Sequence, residues 1–163
     1  MIREELQRLL FGPDEDEEPI GFEIMQIEAS CPDNASTVSD RAREALTVIL
    51  STHLICDAKE DAKEWETDPV FEFLEAWFYN SFEKQSAENE DQPSDNVRWF
   101  NDARDWFWWD AKVFDNNRLV VYITVVGFPI SGFDLLRWLL ISCGASQVEQ
   151  GPCIDITEIN ESG

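Results

Sequence analysis

The chain has 163 residues, of which 44% are hydrophobic, and its 34 Asp and Glu residues against 12 Lys and Arg give a formal net charge of -22. This length and hydrophobic fraction suit a single domain with one substantial core. The charge excludes nucleic acid and anionic membrane surfaces as partners, because both are bound through basic side chains. It leaves a basic protein as the expected partner.

Location and cofactors follow from what the sequence lacks. No run of 18 or more apolar residues predicts a membrane span, and the amino terminus is too charged for a secretory signal, so we expect a cytoplasmic protein. The four cysteines, Cys31, Cys56, Cys143 and Cys153, are dispersed without a C-x-x-C pair. Small buried side chains are therefore favoured over a zinc site or a disulfide framework, and no cofactor is expected.

A short helix and an acidic linker begin the chain. Ile2, Leu6, Leu9 and Leu10 recur at helical spacing and predict a helix with one apolar edge over residues 2 to 11, closed by Gly12 and Pro13. Residues 12 to 20 form the linker, which contains a block of five successive carboxylates: Asp14, Glu15, Asp16, Glu17 and Glu18. Such a block is normally solvated and mobile, although at a partner surface it attracts cations.

A strand and a long helix follow the linker. Residues 21 to 29 have the apolar composition of a strand, which a turn over residues 31 to 34 ends. The helix is predicted to begin at a cap formed by Ser36 or Thr37 and to reach Cys56, because apolar residues recur along it at steps of three and four.

The middle of the chain changes from helical to loop character. Asp68 and Pro69 predict the start of another amphipathic helix, which extends to Ser81. Residues 84 to 97 have too few apolar side chains to offset the entropy of ordering, so they are predicted to form a mobile loop.

A hairpin of two apolar strands is the best-defined feature of the second half. Phe107, Trp109, Ala111 and Val113 alternate with more polar residues and predict a strand with those four side chains inward. Residues 115 to 118 then predict a tight turn in which Asn116 and Asn117 adopt positive φ. The next strand, 119 to 126, has no polar face, as expected of a strand in the centre of a sheet.

The chain ends with a helix and an edge strand. Ser131 is the predicted cap of the helix, and Gly144 supplies its left-handed stop after Cys143. Residues 153 to 159 alternate and predict a final edge strand with Glu158 outward. These elements predict an α+β domain with an antiparallel or mixed sheet, and the ferredoxin-like β-α-β-β-α-β order with an extra N-terminal helix is one arrangement that fits.

No motif in the sequence predicts an enzyme. His53 and Cys56 lie one helical turn apart, but no second pair completes a metal site, and a packed histidine is the commoner explanation. Residues 127 to 132 precede a helix without the lysine or the dense glycines of a phosphate-binding loop. The many carboxylates offer no reason to choose two of them as an acid and a base.

Two functions remain open, beside the interpretation that the net charge of -22 only keeps the protein soluble. The first is a non-enzymatic protein whose acidic surface recognises a basic partner, for example an inhibitor or immunity protein of a cationic toxin or nuclease, or a nucleic-acid mimic. Trp108 would be its aromatic anchor, sharing an exposed strand face with Asp110 and Lys112, although core packing also explains the tryptophans. The candidate partner-binding residues are Trp108, Asp110, Asp14, Glu15, Asp16, Glu17, Glu18, Asp57, Glu60, Asp61 and Glu64. The alternative is a small-ligand or catalytic pocket between sheet and helices near residues 128 to 131 and His53.

Overall fold

The computed structural model describes residues 2–19, 23–56, 104–127, 130 and 133–155. The described elements are, in chain order, α1 (Ile2–Phe11), β1 (Glu23–Ser30), α2 (Ala35–Cys56), β2 (Trp106–Asp115), β3 (Arg118–Val125), α3 (Phe133–Ser142) and β4 (Gln147–Ile154). The predicted helix from Asp68 to Ser81 and the predicted mobile loop 84 to 97 lie outside the described residues. None of the helices in the described ranges is long and apolar enough to cross a membrane.

The four strands form one antiparallel sheet in the order β2-β3-β1-β4. β1 therefore lies between β3 and β4, although each of those strands follows it much later in the chain. Among the described elements, this order, with α2 before the β2-β3 hairpin and α3 after it, matches the split β-α-β-β-α-β arrangement of the ferredoxin-like fold. The predicted α+β class and the interior position of β3 are both confirmed.

The main core lies on the face of the sheet that α2 and α3 cover. Ile27 of β1, Leu46 of α2, Val121 of β3 and Leu139 of α3 are all fully buried there in one continuous cluster. The opposite face carries a second, smaller cluster of Ile24, Trp109, Val120 and Tyr122. β3 is thus buried on both faces, which explains why its sequence has no polar face.

The turn between β2 and β3 differs from the prediction. Asn116 and Asn117 do connect the strands, but Asp33, at φ 57°, is the only non-glycine residue with positive φ in the described ranges. A register shift between Val113 and Asp115 accommodates the twist, and the Asn117 N–H donates to Asp115 Oδ1 at 2.7 Å. The bulge removes the need for a left-handed turn.

The hairpin tip also holds the start of α2, which differs from the prediction as well. α2 begins at Ala35, before the expected caps Ser36 and Thr37. The Ala35 N–H donates to the carbonyl of Asn116 at 3.0 Å, and the Asp33 N–H donates to Asn117 Oδ1 at 2.8 Å. Contacts distant in sequence therefore satisfy the helix terminus where the sequence predicts a local cap.

The final strand lies earlier than predicted. β4 covers Gln147–Ile154, whereas the sequence predicts a strand from 153 to 159, of which 156 to 159 are outside the described residues. Gly151 and Pro152 interrupt the pairing with β1, since Gln150 faces Ile27 and Cys153 faces Met25. The two residues that suggest a break in the sequence thus form a bulge inside an edge strand.

Candidate functional site

Helix α1 lies along the outer edge of β2 and satisfies the backbone there. Glu5 Oε1 accepts a hydrogen bond from the Trp108 N–H at 2.7 Å, and Arg8 Nε donates to the Trp108 carbonyl at 2.9 Å. Residues three apart in a helix share a face, so one turn of α1 presents both groups to the same strand residue. These two side chains replace the neighbouring strand that an edge residue lacks.

A buried ion pair fixes Glu5 in this position. Arg104 donates to both Glu5 carboxylate oxygens, at 3.1 Å and 2.6 Å, and the two side chains are 1% and 0% exposed. The Arg104 guanidinium also lies over the rings of Trp106 and Phe107, with its carbon 4.9 Å and 4.8 Å from their centroids. This bidentate, aromatic-flanked geometry compensates the cost of taking both charges out of water.

A third arginine reaches the same edge from α2. Arg43 Nη2 donates to Asp110 Oδ1 at 3.1 Å and to the Ala111 carbonyl at 3.2 Å, and its guanidinium lies over the Trp108 ring. Arg8, Arg43 and Arg104 are thus all turned toward one strand. In the described ranges, the exposed cationic side chains are Arg3, Arg41, Arg118 and Arg137, and exposed carboxylates far outnumber them.

The acidic segment is attached to α1 through one of these arginines. Arg8 Nη1 forms an ion pair with Glu17 Oε1 at 2.9 Å, and Glu17 Oε2 accepts the Asp14 N–H at 3.2 Å. The Glu17 N–H donates in turn to the Asp14 carbonyl at 3.0 Å, which closes a turn. The side chains of Asp14, Glu15, Asp16 and Glu18 remain exposed around it.

Two apolar side chains stand in solvent beside this turn. Leu10 is 61% exposed and Phe11, the last residue of α1, is 82% exposed. The sequence predicts Leu10 on the apolar edge of the helix, and that prediction is wrong, since Ile2 and Leu9 form the buried edge with Leu6 partly buried. Gly12 at φ 77° then ends the helix, as predicted, and directs the chain into the acidic segment.

Trp108 is not an exposed anchor. Its side chain is fully buried in the main core with Trp106, so it presents no surface to a partner. Asp110, which the sequence places on the same exposed face, is half-buried in its ion pair with Arg43. Core packing, the other explanation of these aromatic residues, is therefore the correct one for Trp106, Phe107, Trp108 and Trp109.

Trp108 is buried because β2 contains a bulge, which the predicted alternation of inward and outward residues does not include. Trp108 pairs with Ile123 and Asp110 pairs with Tyr122, so Trp109 is an extra residue in β2. Trp106, Trp108 and Ala111 consequently share the main-core face, whereas Phe107 and Trp109 lie on the other side of the sheet. The predicted set of inward residues mixes the two faces.

The remaining predicted residues divide between the surface and the undescribed part of the chain. Asp14, Glu15, Asp16 and Glu18 are exposed as predicted, and Glu17 is half-buried against Arg8. Asp57, Glu60, Asp61 and Glu64 lie outside the described residues.

Sequence reasoning missed the residues that organise this edge, namely Glu5, Arg8 and Arg104. The one available signal was their placement. Glu5 and Arg8 flank the apolar positions of α1 at helical spacing, and an aromatic-rich strand follows Arg104 directly. Their partners are about a hundred residues apart in the sequence, so no local pattern pairs them.

The described residues give little geometric support to a small-ligand pocket. His53 is 2% exposed, inside the packed part of α2, and Phe128, Pro129 and Ser131 lie outside the described ranges. Among the described side chains no group of three or more His, Cys, Asp or Glu is arranged to hold a metal ion. Cys31, Cys143 and Cys153 are free thiols, and burial raises the pKa of Cys143 to about 12, which keeps that thiol protonated.

Comparisons of the chain with protein-family models, with curated proteins and with solved structures find no match. Its function is therefore inferred from the placement of its charges and its exposed apolar side chains.

Proposed function

We propose that the chain is a non-enzymatic binding protein whose acidic surface recognises a basic protein, in the manner of an inhibitor or immunity protein of a cationic toxin or nuclease, or of a nucleic-acid mimic. One observation carries the proposal. Arg8, Arg43 and Arg104 form ion pairs with carboxylates at the edge of β2, and among the described residues the exposed carboxylates far outnumber the exposed arginines.

The physical consequence is a surface on which negative charge predominates, because each internal ion pair removes one charge of each sign and leaves the net excess outside. Arg8 and Arg104 are almost completely buried, and each has a carboxylate partner within the fold. A net charge of -22 spread over a small domain attracts cationic proteins over distances of about a Debye length, about 8 Å at physiological ionic strength. Such steering raises the association rate of a basic partner and repels acidic competitors.

The test is capture at two ionic strengths. The purified chain is immobilised and exposed to a lysate of its source cells, and retained proteins are identified and eluted by salt. The proposal expects a retained protein of high isoelectric point that elutes steeply with salt and then binds the chain at fixed stoichiometry when purified. Retention of only neutral or acidic proteins, or retention indifferent to salt, would contradict it.

A polyanion control separates recognition from simple charge. Polyglutamate of matched total charge is immobilised in parallel, because any strongly cationic protein binds any polyanion to some extent. A physiological partner stays bound to the folded chain at salt concentrations that release it from polyglutamate. If both surfaces retain the same proteins equally, the charge serves solubility and the proposed function is wrong.

A further inference from the structure

We infer that Leu10 and Phe11, at the carboxyl end of α1, are the apolar anchor of the partner interface, with the carboxylates of residues 14 to 18 beside them. This inference rests on the proposed function and adds the position of the interface and the chemistry of the partner. The partner surface that fits is an apolar pocket or ridge bordered by Lys and Arg side chains.

The exposure of Phe11 is the first step. At 82% it is the most exposed large hydrophobic residue in the described ranges, and Leu10 beside it is 61% exposed. A single exposed apolar side chain is ordinary, but Leu10 and Phe11 are two in succession at a helix end, and together they are called the apolar patch here. Aromatic side chains also supply much of the binding energy where an interface excludes water.

A second pair of exposed apolar residues shows why the inference selects the end of α1. Val113 and Phe114 in β2 are each 43% exposed, and the Arg118 guanidinium lies over the Phe114 ring at 4.9 Å. Arg118 is itself paired with Glu28. An intramolecular cation thus already covers part of the Phe114 ring, which makes this pair a natural control.

The patch and the carboxylates are held in one arrangement by the fold. Arg8 bonds the Trp108 carbonyl through Nε and Glu17 through Nη1, so one guanidinium ties the acidic turn to α1 less than one helical turn before Phe11. Gly12, at positive φ, makes the reversal between them. The apolar side chains and the exposed Asp14, Glu15, Asp16 and Glu18 therefore adjoin each other on one local surface.

Charge complementarity identifies the occupant. A second copy of this chain would bring further carboxylates to a surface that already has a large excess, and like charges across an interface oppose association. A basic protein brings cations to the carboxylates while its apolar residues bury Phe11 and Leu10. The carboxylates then raise the association rate, and the apolar pair lowers the dissociation rate.

Two synthetic peptides test this with defined probes. One is an amphipathic helix of lysine and leucine, and the other has the same lysines with serine in place of leucine. The intact chain should bind the lysine-leucine peptide roughly 10- to 100-fold more tightly in calorimetry, because only that peptide buries Leu10 and Phe11. The variant Leu10→Ser with Phe11→Ser should lose this preference and keep its weak, salt-sensitive binding of the lysine-serine peptide.

The matched control is Val113→Ser with Phe114→Ser, which also removes one aliphatic and one aromatic exposed side chain. It should retain the preference. A preference that persists in the Leu10 and Phe11 variant, or that the control loses equally, overturns the inference. If the intact chain binds both peptides equally and with strong salt dependence, the inference fails while the proposed function stands. If it binds neither peptide, both fail together.

Discussion

The two edges of the sheet are protected in different ways. The β2 edge is highly apolar, with four successive buried aromatic residues from Trp106 to Trp109, and charged side chains from α1 and α2 cover it. The β4 edge has mostly exposed side chains, and Gly151 and Pro152 interrupt its pairing with β1. An apolar edge would invite pairing with another chain, whereas a polar edge containing a proline and a bulge does not.

The difference has a consequence for function. Protecting the β2 edge uses three arginines that are each paired with a carboxylate, whereas the β4 edge is protected by backbone irregularity, which needs no charge. The three ion pairs are neutral, so the net charge of -22 is carried by the remaining ionisable side chains. The comparison also predicts that the two edges respond differently to mutation.

The largest effect is expected at the buried end of the β2 edge. Glu5→Ala leaves the Arg104 charge buried without its carboxylate and the Trp108 N–H without its acceptor. The free energy of unfolding should fall by about 3 to 5 kcal/mol in chemical denaturation. The control is Arg118→Ala, which breaks the half-exposed pair with Glu28 and should cost less than about 1 kcal/mol. Equal losses in the two variants would show that the edge network contributes no special stability.

The interior of the sheet provides a reference for that loss. Ile123 in β3 is fully buried in the main core, opposite Met25 and Trp108. Ile123→Ala should destabilise the chain by about 2 to 5 kcal/mol through lost transfer free energy and the cavity it leaves. Denaturation midpoints with an unchanged denaturant slope would establish the value. A loss below about 1 kcal/mol is incompatible with a central position for β3.

The β4 edge should respond to a single methyl group. A Cβ at Gly151 would lie 3.0 Å from the Gln26 carbonyl oxygen and 3.3 Å from its Cβ, so β1 and β4 would have to separate at the bulge. Gly151→Ala should cost about 1 to 3 kcal/mol by overpacking, measured by thermal unfolding. Gly12→Ala is the contrasting change, because its Cβ meets no atom within 4 Å and only its positive φ is strained. If Gly151→Ala is neutral, the close approach at the bulge does not constrain this edge.

A more gradual effect, spread over about three pH units, is expected from alkaline pH through the thiol between α3 and β4. Burial raises the pKa of Cys143 from 9.0 to about 12, and Arg41 opposes this only in part. The unfolded chain releases this proton first, so the stability that the thiol contributes is intact below pH 9 and is lost as pH rises toward 12. The loss should be at most about 1.4 kcal/mol per pH unit. Comparing the stability of the chain with that of Cys143→Ala at neutral and alkaline pH isolates this contribution, which is absent if the two curves stay parallel.

The sequence predicts the elements far better than the contacts between them. Apolar periodicity locates α1, β1 and β3, because burial acts on each residue along the element itself. It misses the bulges at Trp109 and at Gly151, because a bulge depends on the neighbouring strand. The cap of α2 is missed for a similar reason, since its partner is Asn116, 81 positions further along the chain.

In the candidate site, too, local features could be predicted from the sequence and contacts between distant residues could not. The exposed carboxylates of residues 14 to 18 were predictable from charge alone, but the burial of Trp108 was not, because alternation places it outward unless the bulge is known. Phe11 was not distinguished from other apolar residues in sequence. Its exposure depends on which edge of α1 faces the sheet, and the pairing of Glu5 and Arg8 with Trp108 determines that edge.

The most direct test of the central claim is the association rate constant between the chain and its basic partner, measured by stopped-flow as ionic strength rises. A control removes the same charge elsewhere: the variant Glu15→Gln, Asp16→Asn, Glu18→Gln is compared with Asp40→Asn, Glu44→Gln, Glu149→Gln. Unmatched carboxylates around the end of α1 predict a rate that falls about tenfold or more from low to high salt. They also predict a larger loss at low salt in the first variant than in the control. A rate indifferent to salt, or equal losses in the two variants, would contradict the claim that this surface receives a basic protein.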